Sequence, residues 1–137
     1  MNRALAALLA VTLLLLSCNN NDDKKSTPQT DTDVATTFIR DILDNKINDA
    51  EQYILKDTLN IQYFESFKQA YLKKDKPELE KFKSADIIIN EISNVSDTVS
   101  IINYSNSYKK ESKNVLKVVR VDGKWLIDFK YTFSGNM

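Results

Sequence analysis

The chain has 137 residues, with 19 basic and 19 acidic side chains, one cysteine and no histidine. This length suits one ordinary domain, and the balanced charge argues against nucleic-acid binding, which requires clustered Lys and Arg. Without histidine the chain cannot form a Ser-His-Asp or Cys-His catalytic site, and one cysteine excludes an internal disulfide and a zinc cluster. We therefore expect no metal and no other cofactor.

Residues 1–17 have the pattern of a secretory signal peptide. Arg3 is followed by thirteen uncharged residues, 4–16. A helix of that length rises only about 20 Å, which is short of the roughly 30 Å hydrocarbon layer of a bilayer. A charged start, a short apolar run and a small residue predict an export signal rather than a transmembrane helix.

The segment Leu15-Leu16-Ser17-Cys18 ends this run and resembles the lipobox of bacterial lipoproteins. In that family the chain is cut before the cysteine, whose thiol then carries diacylglycerol. The resemblance implies a lipidated Cys18 and a membrane partner held through that anchor. Leu16 departs from the pattern, because a smaller residue is more usual there. The alternative is an ordinary signal peptide with an incidental cysteine.

Asn19, rather than Asp, follows the cysteine, so the inner-membrane retention signal of some lineages is absent. We therefore expect a cell-envelope protein of the outer membrane, with the periplasmic and surface leaflets left open. Residues 19–33 contain no apolar side chain except one proline ring, so residues 18–33 are predicted to form a disordered tether. Such a tether would hold the domain about 20 Å from the bilayer.

The folded domain is expected at residues 34–137, where helical periodicity begins. Thr32 or Asp33 is the predicted cap of the first helix, and Asn48 or Asp49 opens a short second one. The first apolar stripe consists of Val34, Ala35, Phe38, Ile39, Ile42 and Leu43. Asp57-Thr58 predicts the start of a third helix, and Pro77 suits the first turn of a fourth that reaches about residue 83.

After Ala85 the pattern changes to that of strands. Residues 86–92 and 98–104 are rich in β-branched side chains and flank a predicted turn at residues 93–97. The next two strands, 115–121 and 124–133, flank Asp122-Gly123, a favoured pair for a type I′ hairpin. Helices followed by four antiparallel strands predict an α+β fold, with the helices packed on one face of the sheet.

This hairpin fixes its own register. Val121 then faces Lys124, Val119 faces Leu126, and Lys117 pairs with Asp128 across the strands. One face collects Leu116, Val118, Arg120, Trp125, Ile127 and Phe129.

Three segments resemble the NTF2-like superfamily: Phe38-Ile39-Arg40, residues 49–53 and the hairpin at 118–129. Within it, the likeness over about residues 34–131 is to small bacterial lipoproteins with a DUF4878-like domain of unknown function. The resemblance implies an NTF2-like, cystatin-like α+β fold, in which a strongly curved sheet wraps the helices and leaves a pocket. Such domains include enzymes, ligand binders and dimeric adaptors, so the fold does not decide the function.

Enzymes of that superfamily place an Asp or His near the pocket as a base. This chain has no histidine, and Asp128 is expected on the opposite face of the hairpin, in a solvated ion pair with Lys117. Glu91 remains a candidate for the catalytic base, because the alternation of side chains does not determine which face of the sheet it lies on. We therefore expect a domain that binds a small ligand or an envelope component and does not catalyse a reaction.

Four residues are the predicted ligand contacts: Arg120, Trp125, Tyr104 and Tyr131. Arg120 beside Trp125 can stack its guanidinium on the indole and bind an anion, or merely cover the ring with its stem. Tyr131 belongs to an aromatic series that lines either a pocket or the core, and Tyr104 is expected near the pocket mouth.

An alternative class of function uses the outer face of the sheet. Val119 and Leu126 place apolar side chains there, which suits a homodimer or an envelope-protein partner. The lysine-rich segments at residues 73–76 and 109–110 are interpreted as solvated loops. Asp57-Thr58-Leu59 and Asp97-Thr98-Val99 resemble a bacterial O-glycosylation acceptor, although a helix cap and a hairpin turn explain the same residues.

Overall fold

Five helices and four strands make up the part of the chain that the structure, a computed structural model, describes: residues 27–134. In chain order they are α1 (Asp31–Leu43), α2 (Ile47–Glu51), α3 (Thr58–Tyr71), α4 (Lys76–Lys83), β1 (Ile87–Ser96), β2 (Val99–Asn106), β3 (Asn114–Val121), β4 (Lys124–Ile127) and α5 (Lys130–Ser134). The predicted α+β class is confirmed. The predicted signal peptide and Cys18 lie outside the described residues. No described helix combines the length and the hydropathy needed to cross a bilayer.

Helix α1 begins with a reciprocal pair of hydrogen bonds. The Thr30 hydroxyl oxygen accepts from the Asp33 amide (3.1 Å), and the Asp33 carboxylate accepts from the Thr30 amide (3.0 Å). The pair satisfies two amides that have no carbonyl partner within the helix. The helix therefore starts before the caps predicted at Thr32 or Asp33. Helix α2 likewise begins at Ile47, before either predicted start.

Helices α3 and α4 are each capped by an aspartate. The Asp57 carboxylate accepts from the Asn60 amide (2.9 Å), and the Asp75 carboxylate accepts from the Glu78 amide (2.8 Å). Pro77 lies in the first turn of α4, where its missing amide hydrogen removes no helical hydrogen bond. The predicted starts of both helices are confirmed.

The four strands form one antiparallel sheet in the order β1-β2-β3-β4. Strand β1 is longer than predicted, and its turn into β2 contains only Asp97 and Thr98. Two shifts of register in β1 leave Asn90 and Val95 without a directly paired residue. Such bulges interrupt the alternation of side chains, which explains why the end of β1 was wrongly predicted as a turn.

The β3–β4 hairpin has the predicted register. Its pairs are Val121 with Lys124, Arg120 with Trp125, Val119 with Leu126 and Val118 with Ile127. Asp122 (φ 50°) and Gly123 (φ 78°) both adopt left-handed backbone conformations, as a type I′ turn requires. The predicted ion pair is present as well, with the Lys117 Nζ 3.4 Å from the Asp128 Oδ2.

The prediction that the last strand runs to residue 133 is wrong, because β4 ends at Ile127. The Lys130 amide donates to the side-chain oxygen of Asn60 at 2.7 Å instead of to a neighbouring strand. This hydrogen bond directs the chain into α5. Phe129 remains buried in the core, whereas Phe133 is exposed on α5.

The hydrophobic core lies between one face of the sheet and the helices α1 to α4. Its most completely buried large apolar side chains are Phe38, Phe64, Ile54, Ile102, Leu116, Ile127 and Val118. Within the described residues, the core runs from Val34 to Phe129. A segment of residues 19–137 therefore keeps the whole core and omits the apolar leader, which makes it suitable for measurements in solution.

Candidate functional site

A cavity of about 360 Å³ lies between the helices and the sheet. Its volume falls in the range of roughly 300–1,000 Å³ that is typical of small-molecule sites. The apolar part of its wall is formed by Phe38, Ile39, Ile42, Leu43, Phe67, Phe82, Leu116, Phe129 and Phe133, together with Tyr71 and Tyr104. The wall thus offers mainly apolar contacts.

The helical periodicity of the chain positions much of this wall. In α1, Ile39 and Leu43 are one turn apart, so they lie on the same face of the helix. Phe67 and Tyr71 have the same spacing in α3. Phe129 contacts Phe67 edge-to-face with ring centres 5.5 Å apart, so that the end of the sheet packs against α3 at the cavity.

Two tyrosines of the wall stay neutral at physiological pH. Burial raises the pKa of Tyr104 above its usual range, although its exposed area is intermediate, as befits a side chain on a cavity wall. Burial, helped by the nearby Glu78 carboxylate, raises the pKa of Tyr71 to about 12. The Tyr71 hydroxyl is buried and has no hydrogen-bond partner among the described residues. A neutral phenol can donate a hydrogen bond, whereas a phenolate cannot.

Two lysines and one glutamate stand at the edge of the cavity. Lys74 follows α3, Glu78 lies in the first turn of α4, and Lys109 belongs to the β2–β3 loop. The Glu78 Oε1 accepts from the Lys74 Nζ (3.0 Å) and from the Lys109 Nζ (3.4 Å). The hydrogen bond from Lys74 is the main cause that lowers the pKa of Glu78, so this carboxylate is ionised at neutral pH.

The sequence does not reveal this group, because both lysine-rich segments have the composition of solvated loops. The structure instead brings one lysine from each segment to the same carboxylate. Asn106, which is 5% exposed, holds the second segment in place. Its side-chain oxygen accepts from the amides of Tyr108 (3.1 Å) and Lys109 (2.9 Å). An asparagine that hydrogen-bonds to amides following it is a recognised turn signal, and it was available in the sequence.

Of the four predicted ligand contacts, Tyr104 lines this cavity. Tyr131 is half-buried and lines neither this cavity nor the hollow near Trp125. The Lys117 Nζ instead lies 5.5 Å from the centre of the Tyr131 ring. The aromatic residues after β4 therefore lie in two places. Phe129 and Phe133 line the cavity, whereas Tyr131 lies beside Lys117.

The structure brings Arg120 and Trp125 together at the end of the hairpin. The Arg120 Cζ lies 5.8 Å from the centre of the Trp125 ring, and the Arg120 Nε donates to the Gly123 carbonyl at 3.5 Å. Arg120 is exposed, and Trp125 borders a separate open hollow of about 700 Å³. Residues 27–29, at the start of the described part of the chain, form part of the wall of that hollow. The cavity between the helices and the sheet has the more apolar wall of the two, and it is therefore the better candidate for a ligand site.

Asp128 forms the predicted ion pair with Lys117, but the prediction that this carboxylate is solvated is wrong, because Asp128 is 6% exposed. Its Oδ1 accepts from the Lys130 Nζ (2.8 Å) and the Asn60 Nδ2 (3.1 Å), while Lys117 contacts Oδ2. The Lys130 Nζ also reaches the Asp57 Oδ2 at 3.1 Å. Asp57, Asn60, Lys117, Asp128 and Lys130 form a polar network around the buried Asn60 and Asp128, which ties α3 to the end of the sheet.

Two glutamates are the candidate bases, and neither is a free carboxylate inside the cavity. The Glu78 carboxylate stands at the edge of the cavity, where it is paired with two lysines. Glu91, the other candidate base, is exposed on β1, where Ser93 and Asn103 donate to its carboxylate (3.3 and 3.5 Å). Within residues 27–134 no three His, Cys, Asp or Glu side chains form a group that could hold a metal ion.

Comparisons of the chain with family models, with curated proteins and with solved structures found no match. The geometry of the cavity and its charged edge therefore carries the functional argument.

Proposed function

We propose that the domain binds a small, mainly apolar ligand in the cavity between α1, α3, α4 and the sheet, without catalysing a reaction. The mainly apolar wall of this cavity is the observation that supports this function. Burial of apolar surface contributes about 25 cal/mol per Å², so a ligand that fills such a cavity gains affinity even with few polar contacts. Tyr104 can supply a hydrogen bond that orients the ligand.

Titration of the neutral dye phenylnaphthylamine into residues 19–137 tests this proposal. We expect a saturable rise in fluorescence with one binding site. Ile42→Trp fills part of the cavity from α1, where Ile42 is half-buried. The variant should weaken dye binding by at least about tenfold, which corresponds to about 1.4 kcal/mol.

Leu59→Trp is the matched control, because Leu59 is 52% exposed on α3 and lies outside the cavity wall. It should leave the affinity for the dye unchanged within about a factor of two. Thermal melting of both variants checks that they are folded, since overpacking costs about 1–3 kcal/mol. Equal dye binding by wild type and a folded Ile42→Trp variant would contradict the proposed site.

The same proposal places the protein at the cell envelope, anchored by lipid at Cys18 and held at the outer membrane. Its support is the order of positive charge, apolar run, Ser17 and Cys18 in the leader. One acyl chain gives marginal membrane binding, whereas two or more hold a protein stably.

Intact-mass analysis of the native chain is the direct measurement of this anchor. We expect a chain that begins at Cys18 and carries the added mass of diacylglycerol. A Cys18→Ser variant should lack that mass and lose stable association with vesicles. An unprocessed start, or a free thiol on the native chain, would remove the basis for the anchor.

We also propose that the fold belongs to the NTF2-like group and that the domain resembles the DUF4878-like members of that group. Helices on one face of an antiparallel sheet, a cavity between them and the hairpin with Asp122-Gly123 support this assignment. The curved, cystatin-like sheet is part of the same proposal.

An interaction module is the second candidate function. Val119 and Leu126 are paired on the face of the sheet away from the core and are half-buried, while the neighbouring Val121 is 41% exposed. These side chains suit the pairing of two copies or contact with an envelope protein. Light scattering distinguishes a dimer of residues 19–137 from a monomer.

A further inference from the structure

The charge at the edge of the cavity is unbalanced. Two ammonium groups, those of Lys74 and Lys109, contact the same oxygen of one carboxylate, that of Glu78. The exposed fractions of the three side chains are 28%, 44% and 27%, so all three remain accessible to solvent. Exposed ion pairs contribute little to stability, and stability alone therefore does not account for the second lysine.

The two lysines also adjoin the apolar wall. Their Nζ atoms lie 5.3 Å (Lys74) and 5.1 Å (Lys109) from the centre of the Phe82 ring, and all three residues line the cavity. Tyr108 packs edge-to-face on Phe82 with ring centres 5.1 Å apart. The apolar wall thus leads directly to a positively charged edge, where the Glu78 carboxylate shows how an anion can be held.

We propose that the ligand is an amphiphile with one apolar chain and a terminal carboxylate. The chain occupies the cavity, and the carboxylate binds Lys74 and Lys109 in place of Glu78 or beside it. This inference rests on the proposed ligand-binding function and specifies the chemical class of the ligand. The lysine ammonium groups carry three donors each, so both can retain a contact with Glu78 while they bind a second anion.

Calorimetric titration of residues 19–137 with decanoate and with decanol tests separately whether the cavity binds an alkyl chain and whether the two lysines bind a carboxylate. The two probes share one alkyl chain and differ in the head group. We expect decanoate to bind about tenfold more tightly than decanol at low salt. Added salt should weaken the binding of decanoate and not that of decanol, because salt screens exposed charges.

Variants identify the residues that bind the head group. Lys74→Met and Lys109→Met should each weaken decanoate binding severalfold and leave decanol binding unchanged. Lys110→Met, an exposed neighbour outside the cavity wall, is the matched control and should change neither. Glu78→Gln removes the competing carboxylate at nearly constant size, so it should strengthen decanoate binding severalfold.

The outcomes distinguish the two proposals. Equal affinity for decanoate and decanol, or a Lys74→Met, Lys109→Met double variant that binds decanoate like the wild type, would overturn the head-group assignment and leave the apolar site intact. Absence of binding by both probes would overturn the proposed function together with this inference. Weaker decanoate binding by Glu78→Gln would also contradict the inference, because it would show that Glu78 supports the site instead of competing for it.

Discussion

Replacement of Phe64 by alanine is expected to lower the free energy of unfolding by about 3–5 kcal/mol. Phe64 is 2% exposed and lies at the centre of the aromatic cluster. Its ring centre is 5.2 Å from that of Phe129, 5.9 Å from that of Phe67 and 6.2 Å from that of Phe38. Truncation removes these contacts and leaves a void that the neighbouring rings, held by α1, by α3 and by the connection between β4 and α5, cannot fully fill.

Urea denaturation of residues 19–137 measures this effect. The adjacent residue provides a matched control, because Tyr63 is 39% exposed and stacks on the exposed Phe133. Tyr63→Ala should lower the free energy of unfolding by about 1 kcal/mol or less. If the two variants lost the same stability, Phe64 would not occupy the centre of the core.

Asp128→Asn is expected to lower the free energy of unfolding at neutral pH by about 2–4 kcal/mol. The change keeps the shape of the side chain but removes the charge that Lys130 and Lys117 contact at 2.8 and 3.4 Å. Both ammonium groups, whose side chains are 30% and 32% exposed, would then face a neutral amide at a buried position. Asp86→Asn is the control, because Asp86 is exposed at the start of β1 and should change stability by less than about 0.5 kcal/mol.

The effect of this substitution should depend on pH. Burial by itself would raise the pKa of Asp128, but hydrogen bonds from Lys130 and Asn60 and the attraction of Lys130 outweigh it and lower that pKa. The folded protein therefore binds this proton less tightly than the unfolded chain, whose Asp pKa is about 3.9. The contribution of the carboxylate to stability is complete well above that value and is lost as the pH falls through the lower, folded pKa.

Urea denaturation between neutral pH and about pH 3 checks this sign. The difference in stability between wild type and Asp128→Asn should be largest at neutral pH and should shrink in acid. A difference that stays constant, or grows, as the pH falls would show that Asp128 is not stabilised in its charged form.

The β3–β4 hairpin was predictable because local chemistry determines it. Asp122-Gly123 favours one turn type, that turn fixes the register, and Lys117 opposite Asp128 agrees with it. The starts of α3 and α4 were predictable for the same reason, since Asp57-Thr58 marks the first of them and Pro77 marks the second.

The end of β4 was not predictable, because a residue far along the chain decides it. The apolar alternation through Phe129 and Tyr131 continues past Ile127, which favours a longer strand. The side-chain oxygen of Asn60, seventy positions before Lys130, accepts the hydrogen bond from the Lys130 amide. In a longer strand that amide would donate to a neighbouring strand instead. No periodicity within the hairpin carries that information.

The candidate site was predictable only in part. Tyr104 was expected near a pocket mouth and lies in the cavity wall. Arg120 and Trp125 contact each other as expected, but they lie at the end of the hairpin and do not line this cavity. The charged edge was missed because Lys74 and Lys109 are brought together by the packing of a loop on α4. A lysine-rich segment has the same composition whether its lysines are solvated or contact a carboxylate, so the sequence does not distinguish the two cases.

The most direct test of the apolar site is a methyl NMR titration of residues 19–137 with decanol. The cavity wall contains methyl groups of Ile39, Ile42, Leu43 and Leu116, and the exposed Val95 on β1 serves as a reference. We expect the wall signals to shift together and to saturate at one equivalent of ligand, while the Val95 signals stay in place. Shifts scattered over the surface, or wall signals that do not respond, would contradict a ligand site between the helices and the sheet.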